Sequence, residues 1–204
     1  MKVLVTRPEP AASLLAEAIR EQGHEALVCS LTREVVIDFD PRSIGDADAW
    51  IITSARAAAA LCELPERPVF AAGTASERAA RDAGARTIVA GRGGWYELSE
   101  MILQSGLPSG ARLVHLAGRE VTGNLAGELR RAGYFYDRVV VYAMDRIAEA
   151  DGLVEMALRR GAVDSVALMS PRAARLFCEI VAKRGLGELA SRLCVFALSP
   201  AIAD

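Results

Sequence analysis

The sequence is poor in the residues from which most metal, redox and proton-relay sites are made. Only two histidines occur in 204 residues. His24 follows a helix-stop glycine and His115 lies inside an apolar run, and neither neighbourhood supplies a Ser/His/Asp arrangement or a set of metal ligands. Hydrolytic and zinc chemistry therefore fall well down the order of readings. The four cysteines, Cys29, Cys62, Cys178 and Cys194, are widely spaced with no C-x-x-C pair, and with Leu61 and Phe177 as neighbours they read as small buried hydrophobes. No apolar run approaches the roughly 20 residues of a membrane span. The chain opens on a strand-like run, Lys2 to Thr6, instead of a basic segment leading to an apolar stretch and a cleavage site. Both features point to a cytoplasmic protein. Net charge is only −2, so no bulk field attracts nucleic acid or a membrane surface. Lysine is scarce too, with Lys2 and Lys183 the only two among 24 basic residues. An anionic ligand must then be met by locally placed arginines, whose planar fork suits carboxylates and phosphates, although a GC-rich genome gives the same bias.

What the sequence does contain is a repeat. Asp48-Ala49-Trp50-Ile51-Ile52-Thr53-Ser54-Ala55-Arg56-Ala57-Ala58 returns as Asp164-Ser165-Val166-Ala167-Leu168-Met169-Ser170-Pro171-Arg172-Ala173-Ala174, with Gly45 and Cys62 matched in register by Gly161 and Cys178. Val3-Leu4-Val5-Thr6 pairs in the same way with Leu113-Val114-His115-Leu116, and Val69-Phe70-Ala71-Ala72 with Val195-Phe196-Ala197-Leu198. Two similar α/β units of strand, helix, strand, helix, strand are expected to face each other across a cleft, and such clefts bind ligands.

Short apolar runs alternate with amphipathic ones, which predicts parallel sheets with right-handed crossovers. Helices are expected over Ala11 to Gln22, Ala55 to Cys62, Ser76 to Ala83, Trp95 to Gln104, Asn124 to Ala132 and Ala173 to Arg184. Two β-branched segments, Ala26 to Phe39 and Asp137 to Ile147, break the rhythm because no helix follows them at once. They are read as a two-stranded β-ladder joining two similar parallel-sheet lobes. On this reading residues 1–32 and 146–204 form one discontinuous lobe, 39–137 an inserted lobe, and 33–38 with 138–145 the linker.

Candidate binding residues lie where strands end and helices begin, because helix N-termini present free N–H groups and partial positive charge. Ser54 and Ser170 occupy such points. Their first role is to cap a helix, with ligand contact as a second. Gly73-Thr74-Ala75-Ser76 offers hydroxyls and bare amides at another strand end. Gly91-Arg92-Gly93-Gly94 resembles half of a dinucleotide fingerprint, but Tyr96 stands where the third glycine belongs and no acidic residue follows about 20 positions on. With histidine scarce, a phenol becomes an acid/base candidate. Tyr142, at the end of Val139-Val140-Val141, lies in the linker segment, where ordinary strand packing is its alternative role.

These motifs resemble the uroporphyrinogen-III synthase family. The family pattern opens with T-R-P, here Thr6-Arg7-Pro8, and continues with D-x-[apolar]-x-x-T-S-x-x-A, here Asp48 to Ala57. A small-G-x-x-[TS] motif follows as Ala72 to Ser76, then V-x-x-Y as Val139 to Tyr142 and S-P-x-A as Ser170 to Ala173. The order covers nearly the whole chain. The resemblance implies a cytoplasmic monomer that cyclises hydroxymethylbilane with loss of water and inversion of the last ring through a spiro intermediate, with no metal or organic cofactor. It makes Tyr142 the candidate for assisting departure of the hydroxyl. Arg7, Thr53, Ser54, Ser76, Ser170 and Ser199 become candidates for holding the eight substrate carboxylates. Ser76 stands where a threonine is common in the family. The family also continues beyond the position of Asp204 with a helix; if Asp204 is the last residue of the protein, the C-terminal lobe is expected to lack part of one face. The competing reading is a non-catalytic two-lobe binding module for a small polyanion, and a weaker one is a doubly wound nucleotide enzyme.

Overall fold

A computed structural model describes residues 1–199 and Ile202; Pro200 and Ala201, which follow the candidate Ser199, lie outside the described residues. In chain order the first elements are β1 (Lys2–Val5), α1 (Ala11–Glu21), β2 (Glu25–Val28), β3 (Thr32–Val36) and β4 (Ala49–Ile52). A 3₁₀ helix (Ala55–Glu63) leads to β5 (Val69–Ala71), α2 (Thr74–Asp82), β6 (Ile88–Ala90), α3 (Trp95–Leu103), β7 (Arg112–Gly118), α4 (Leu125–Arg131) and β8 (Phe135–Arg146). The chain continues with α5 (Ala150–Arg159), β9 (Ser165–Leu168), α6 (Pro171–Lys183), α7 (Gly187–Ala190) and β10 (Cys194–Ala197). These elements fold as two compact units, one from Met1–Glu34 with the chain from Met144 onward, the other Val35–Ala143.

The first unit carries a four-stranded sheet ordered β10-β9-β1-β2, all parallel. Helices cover both faces, which is why the strands read as continuous apolar runs instead of alternating ones. Val3, Val5 and Ala167 pack under Ala12 and Ala16 of α1. Leu4, Val166 and Leu168 face the opposite way, onto Val154 of α5 and Phe177 and Ile180 of α6.

The second unit carries a sheet ordered β3-β8-β7-β4-β5-β6. Trp50, Ile52, Val114 and Leu116 pack against the 3₁₀ helix and Ala80 of α2. Ala49, Ile51 and Leu113 pack on Leu98 and Ile102 of α3 and Leu125 and Leu129 of α4. Each fully buried Leu or Ile here contributes roughly 1.5–3 kcal/mol of transfer free energy.

The repeat has a physical basis in this topology. Ala49 pairs with Leu113 and Ser165 with Val3, so β4 and β7 stand to each other as β9 and β1 do. The two repeat aspartates do one job. Asp48 accepts the Arg112 backbone N–H at 2.7 Å, and Asp164 accepts that of Lys2 at 2.9 Å. Each fixes the register of the neighbouring strand at its start.

Four expectations are corrected. The segment Ala55 to Cys62 is a 3₁₀ helix, not an α-helix: the Ser54 carbonyl accepts from Ala57 three residues on, and the Ser54 hydroxyl accepts from Arg56 two residues on. The segment Ala26 to Phe39 does not lie wholly outside the strand–helix rhythm, because Glu25–Val28 is an ordinary parallel partner of β1, reached through α1. Likewise β8 runs parallel to β7 from Phe135 to Tyr142. After β2 the chain enters β3 instead of a helix, and β8 runs on past the end of β7 before α5 begins, which is why neither segment reads as an ordinary strand of a strand–helix alternation. Of the cysteines only Cys29 is buried; Cys62, Cys178 and Cys194 are exposed, since they fall on the outer sides of their elements.

Candidate functional site

In the second unit a cavity of about 600 Å³ opens at the carboxyl end of the sheet, where Thr53 and Ser54 follow β4 and Gly118 ends β7. Its walls include Tyr142 of β8, His115 of β7, Tyr136 and Arg138 of β8, and Trp95 at the start of α3. This is the edge at which open parallel sheets bind ligands.

Tyr142 reaches this edge through an irregularity. The β7–β8 register shifts between Ala117 and Gly118, so that Ala117 faces Val140 while Gly118 faces Tyr142. The phenol lies against Gly118, where an added Cβ would come within 2.7 Å of the ring carbon and 2.9 Å of the hydroxyl. A side chain at this position would push the phenol from its place. Among the described residues no side-chain hydrogen bond ties the Tyr142 hydroxyl, and its backbone is held by the Arg119 N–H donating to the Tyr142 carbonyl at 2.9 Å.

Behind Thr53 lies a polar chain. Thr53 Oγ1 is 2.9 Å from His115 Nε2, and His115 Nδ1 is 2.7 Å from the Tyr136 hydroxyl. His115 is only 3 % exposed and Tyr136 only 7 %. Burial, helped by the positive charge of Arg138, pushes the His115 pKa down to about 4, so the ring is neutral near pH 7. Burial pushes the Tyr136 phenol up, against the opposing pull of Arg138 and Arg130. Arg130 lies 5.4 Å from the Tyr136 ring centroid and donates to the Tyr136 carbonyl at 3.0 Å.

Of the sequence-derived candidates, Thr53, Ser54 and Tyr142 line this one cavity. Ser76, in the first turn of α2, is 5 % exposed and is not among the lining residues. Arg7, Ser170 and Ser199 belong to the first unit. Arg7 is half-buried in the loop after β1, Ser199 is exposed beyond β10, and Ser170 caps α6 by accepting from the Ala173 N–H at 3.1 Å. His115 and Tyr136 were not among the expected site residues. The repeat register carried a signal for them: a histidine stands in β7 where the matching strand has Val5.

The fold and site define a class: an α/β protein with parallel sheets, one of which carries at its carboxyl edge a cavity lined by hydroxyls, a phenol and arginines. Among the described residues no three His, Cys, Asp or Glu side chains gather as a metal set. The family model described as uroporphyrinogen-III synthase HemD matches residues 13–204, and the chain belongs to that family. Its reaction is the cyclisation of hydroxymethylbilane to uroporphyrinogen III in tetrapyrrole biosynthesis, a hydro-lyase reaction. The crystal structure of a mutant uroporphyrinogen III synthase from the extremely thermophilic bacterium Thermus thermophilus is 19 % identical, with 100 % of this chain and 86 % of that one covered and a TM-score of 0.65. The uroporphyrinogen-III synthetase of Helicobacter pylori is 15 % identical, with 99 % and 85 % covered and a TM-score of 0.59. At these identities the likeness is one of fold. No curated protein matches the sequence.

Proposed function

We propose that Tyr142 is the general acid of the cyclisation, giving its proton to the departing hydroxyl of hydroxymethylbilane, while Thr53 and Ser54 hold substrate carboxylates beside it. The observation that carries this reading is the position of the Tyr142 phenol, without a hydrogen-bond partner among the described residues, on the same cavity wall system as Thr53 and Ser54. Loss of the hydroxyl leaves an electron-rich conjugated chain, so mild proton donation suffices and holding a flexible substrate in one geometry supplies the larger part of the rate. Arg7, Ser76, Ser170 and Ser199 are read as further carboxylate ligands. The helix start behind Ser170 supports its place in this set through free N–H groups and partial positive charge.

The same reading treats residues 33–38 and 138–145 as a two-stranded linker, with lobes formed by 1–32 plus 146–204 and by 39–137. Its support is the place of β3 beside β8 in the strand order, with the Ile37 N–H donating to the Val141 carbonyl and the Ile147 N–H to the Leu31 carbonyl, each at 3.0 Å. We take the enzyme to act as a cytoplasmic monomer without cofactor, nucleic-acid partner or membrane. The near-neutral charge of −2 and the small-molecule substrate support that view.

The test is Tyr142→Phe. A positioned general acid contributes about 10²–10⁴-fold, so kcat is expected to fall within that range while the far-UV circular dichroism and melting curve stay unchanged. An unchanged kcat removes Tyr142 as the acid.

A further inference from the structure

The chain Tyr136–His115–Thr53 has a direction, and the direction follows from counting protons. A neutral imidazole has one N–H and one bare nitrogen, so it can donate to one neighbour and must accept from the other. If Nδ1 carried the proton, it would donate to the Tyr136 oxygen, and the phenolic O–H of a residue only 7 % exposed would lose its one side-chain acceptor among the described residues. An unsatisfied buried donor costs about 1–3 kcal/mol. If Nε2 carries the proton, the Tyr136 O–H donates to Nδ1, Nε2–H donates to Thr53 Oγ1, and every buried group is satisfied. The Thr53 proton is then excluded from the interior. It points towards the cavity that Thr53 lines.

The fold does not need this chain. The strand registers match Val5 to His115, because Ile51 pairs with His115 where Ala167 pairs with Val5. They match Ala26 to Tyr136, because Leu113 pairs with Tyr136 where Val3 pairs with Ala26. The sequence repeat matches Met169 to Thr53. At the three corresponding points the first unit is therefore apolar throughout and builds the same sheet. A buried histidine with two polar partners, present in one copy and dispensable in the other, calls for a role at the cavity.

We propose that Tyr136 and His115 are positioning residues that lock the Thr53 hydroxyl as an outward hydrogen-bond donor, selecting an anionic oxygen of the substrate over a neutral donor group at that point. The proposal rests on the reading of Thr53 as a carboxylate ligand. Neutrality of His115 is part of the device: a protonated ring would donate through both nitrogens and deprive Tyr136 of its acceptor. The charged groups near the ring are Arg138, its partner across the β7–β8 pair, and Arg130 beside Tyr136. Arg138 opposes its protonation, after burial, and no anionic group contributes to the shift.

Two measurements test the proposal on the full chain. The first is long-range ¹H–¹⁵N correlation of the imidazoles at pH 7, assigned with a His24→Gln variant since the chain has only two histidines. The expected result is the Nε2–H tautomer for His115; the Nδ1–H tautomer or an imidazolium would overturn the relay. The second is a set of KM values for hydroxymethylbilane. Thr53→Val should raise KM about 10- to 100-fold, the range for one hydrogen bond to a charged group. His115→Leu should do the same, and the double variant should be no worse than either, because residues acting through one another are not additive. His115→Gln, whose amide N–H can reach Thr53, should restore most of the loss. A raised KM in Thr53→Val with none in His115→Leu would overturn the positioning role. An unchanged KM in Thr53→Val would overturn the carboxylate reading of Thr53 itself, whatever tautomer the spectrum shows.

Discussion

The two units of this chain are built on one plan and differ at the end of the sheet where chemistry is possible. Both place an aspartate, Asp48 or Asp164, on the first backbone N–H of the neighbouring strand, and both begin the next helical segment with a capping serine, Ser54 or Ser170. The first unit follows its strand with Met169 and backs it with Val5 and Ala26. The second has Thr53, His115 and Tyr136 at the same register points, linked by contacts of 2.9 and 2.7 Å. The difference teaches that the polar interior of the second unit is not a requirement of the fold. Repeated sequence fixes the scaffold, and the positions that depart from the repeat are where to look for function.

The largest effect that would break the comparison is expected at Gly118, which has no equivalent in the first unit because β1 ends at Val5. In Gly118→Ala the new Cβ would meet the Tyr142 ring and displace the phenol. A misplacement of about 1 Å at a reacting group can cost on the order of 100-fold, so kcat is expected to drop by that order with the sheet intact. A variant with full activity would show that the phenol's position does not matter.

Acid should separate the units next. The folded pKa of His115 is depressed to about 4 from 6.5, so between these values the unfolded chain binds a proton that the folded unit does not. Stability of the second unit is therefore complete above about pH 6.5, falls as pH drops towards 4, and loses roughly 3 kcal/mol over that window. In the first unit the corresponding acid-sensitive group is Asp151. Its carboxylate is held below the ordinary value of 3.8, first by hydrogen bonds from Arg146 at 2.8 and 3.1 Å, so its contribution persists until the pH falls below that value. Hydrogen exchange at pH 4.5, corrected for intrinsic rates, should show protection lost at Leu113–Ala117 before Val3–Val5. His115→Gln should abolish the difference, and equal loss in both strands would contradict it.

The smallest effect concerns the caps. Ser170→Ala should cost about 1 kcal/mol, the usual value for an α-helix N-cap, read as a lower denaturation midpoint with unchanged slope. Ser54 accepts at 3.3 Å from a 3₁₀ helix, so Ser54→Ala should cost less stability and appear instead as a raised KM. The reverse pattern would make Ser54 a structural residue only.

Much of the parallel α/β arrangement was legible in the sequence because burial on both faces writes strands as apolar runs, as in Ala49–Ile52 and Ser165–Leu168. The nature of the helix after Ser54 was not, since alanine favours α-helix by propensity while the Ser54 hydroxyl and carbonyl draw the turn tight. The β7–β8 register shift that brings Tyr142 to Gly118 has no local signature, because it depends on the pairing of strands 24 residues apart, from Gly118 to Tyr142. Thr53, Ser54 and Tyr142 were found as motif residues. His115 is not legible as a site residue because its sequence neighbours offer no serine, aspartate or metal ligand, and its partners, Thr53 and Tyr136, come from just after β4 and from β8, at a distance along the chain.

The most direct measurement is the isomer composition of the product formed by the protein from hydroxymethylbilane, with the cyclised tetrapyrrole oxidised and resolved into type I and type III forms by fluorescence. Closure without inversion of the last ring gives type I, and enzymatic inversion gives type III. The expected result is type III from the intact protein, with Tyr142→Phe forming it about 10²–10⁴-fold more slowly. Type I alone from the intact protein, or type III formed by Tyr142→Phe at the unaltered rate, would contradict a cyclase whose acid lies in the cavity of the second unit.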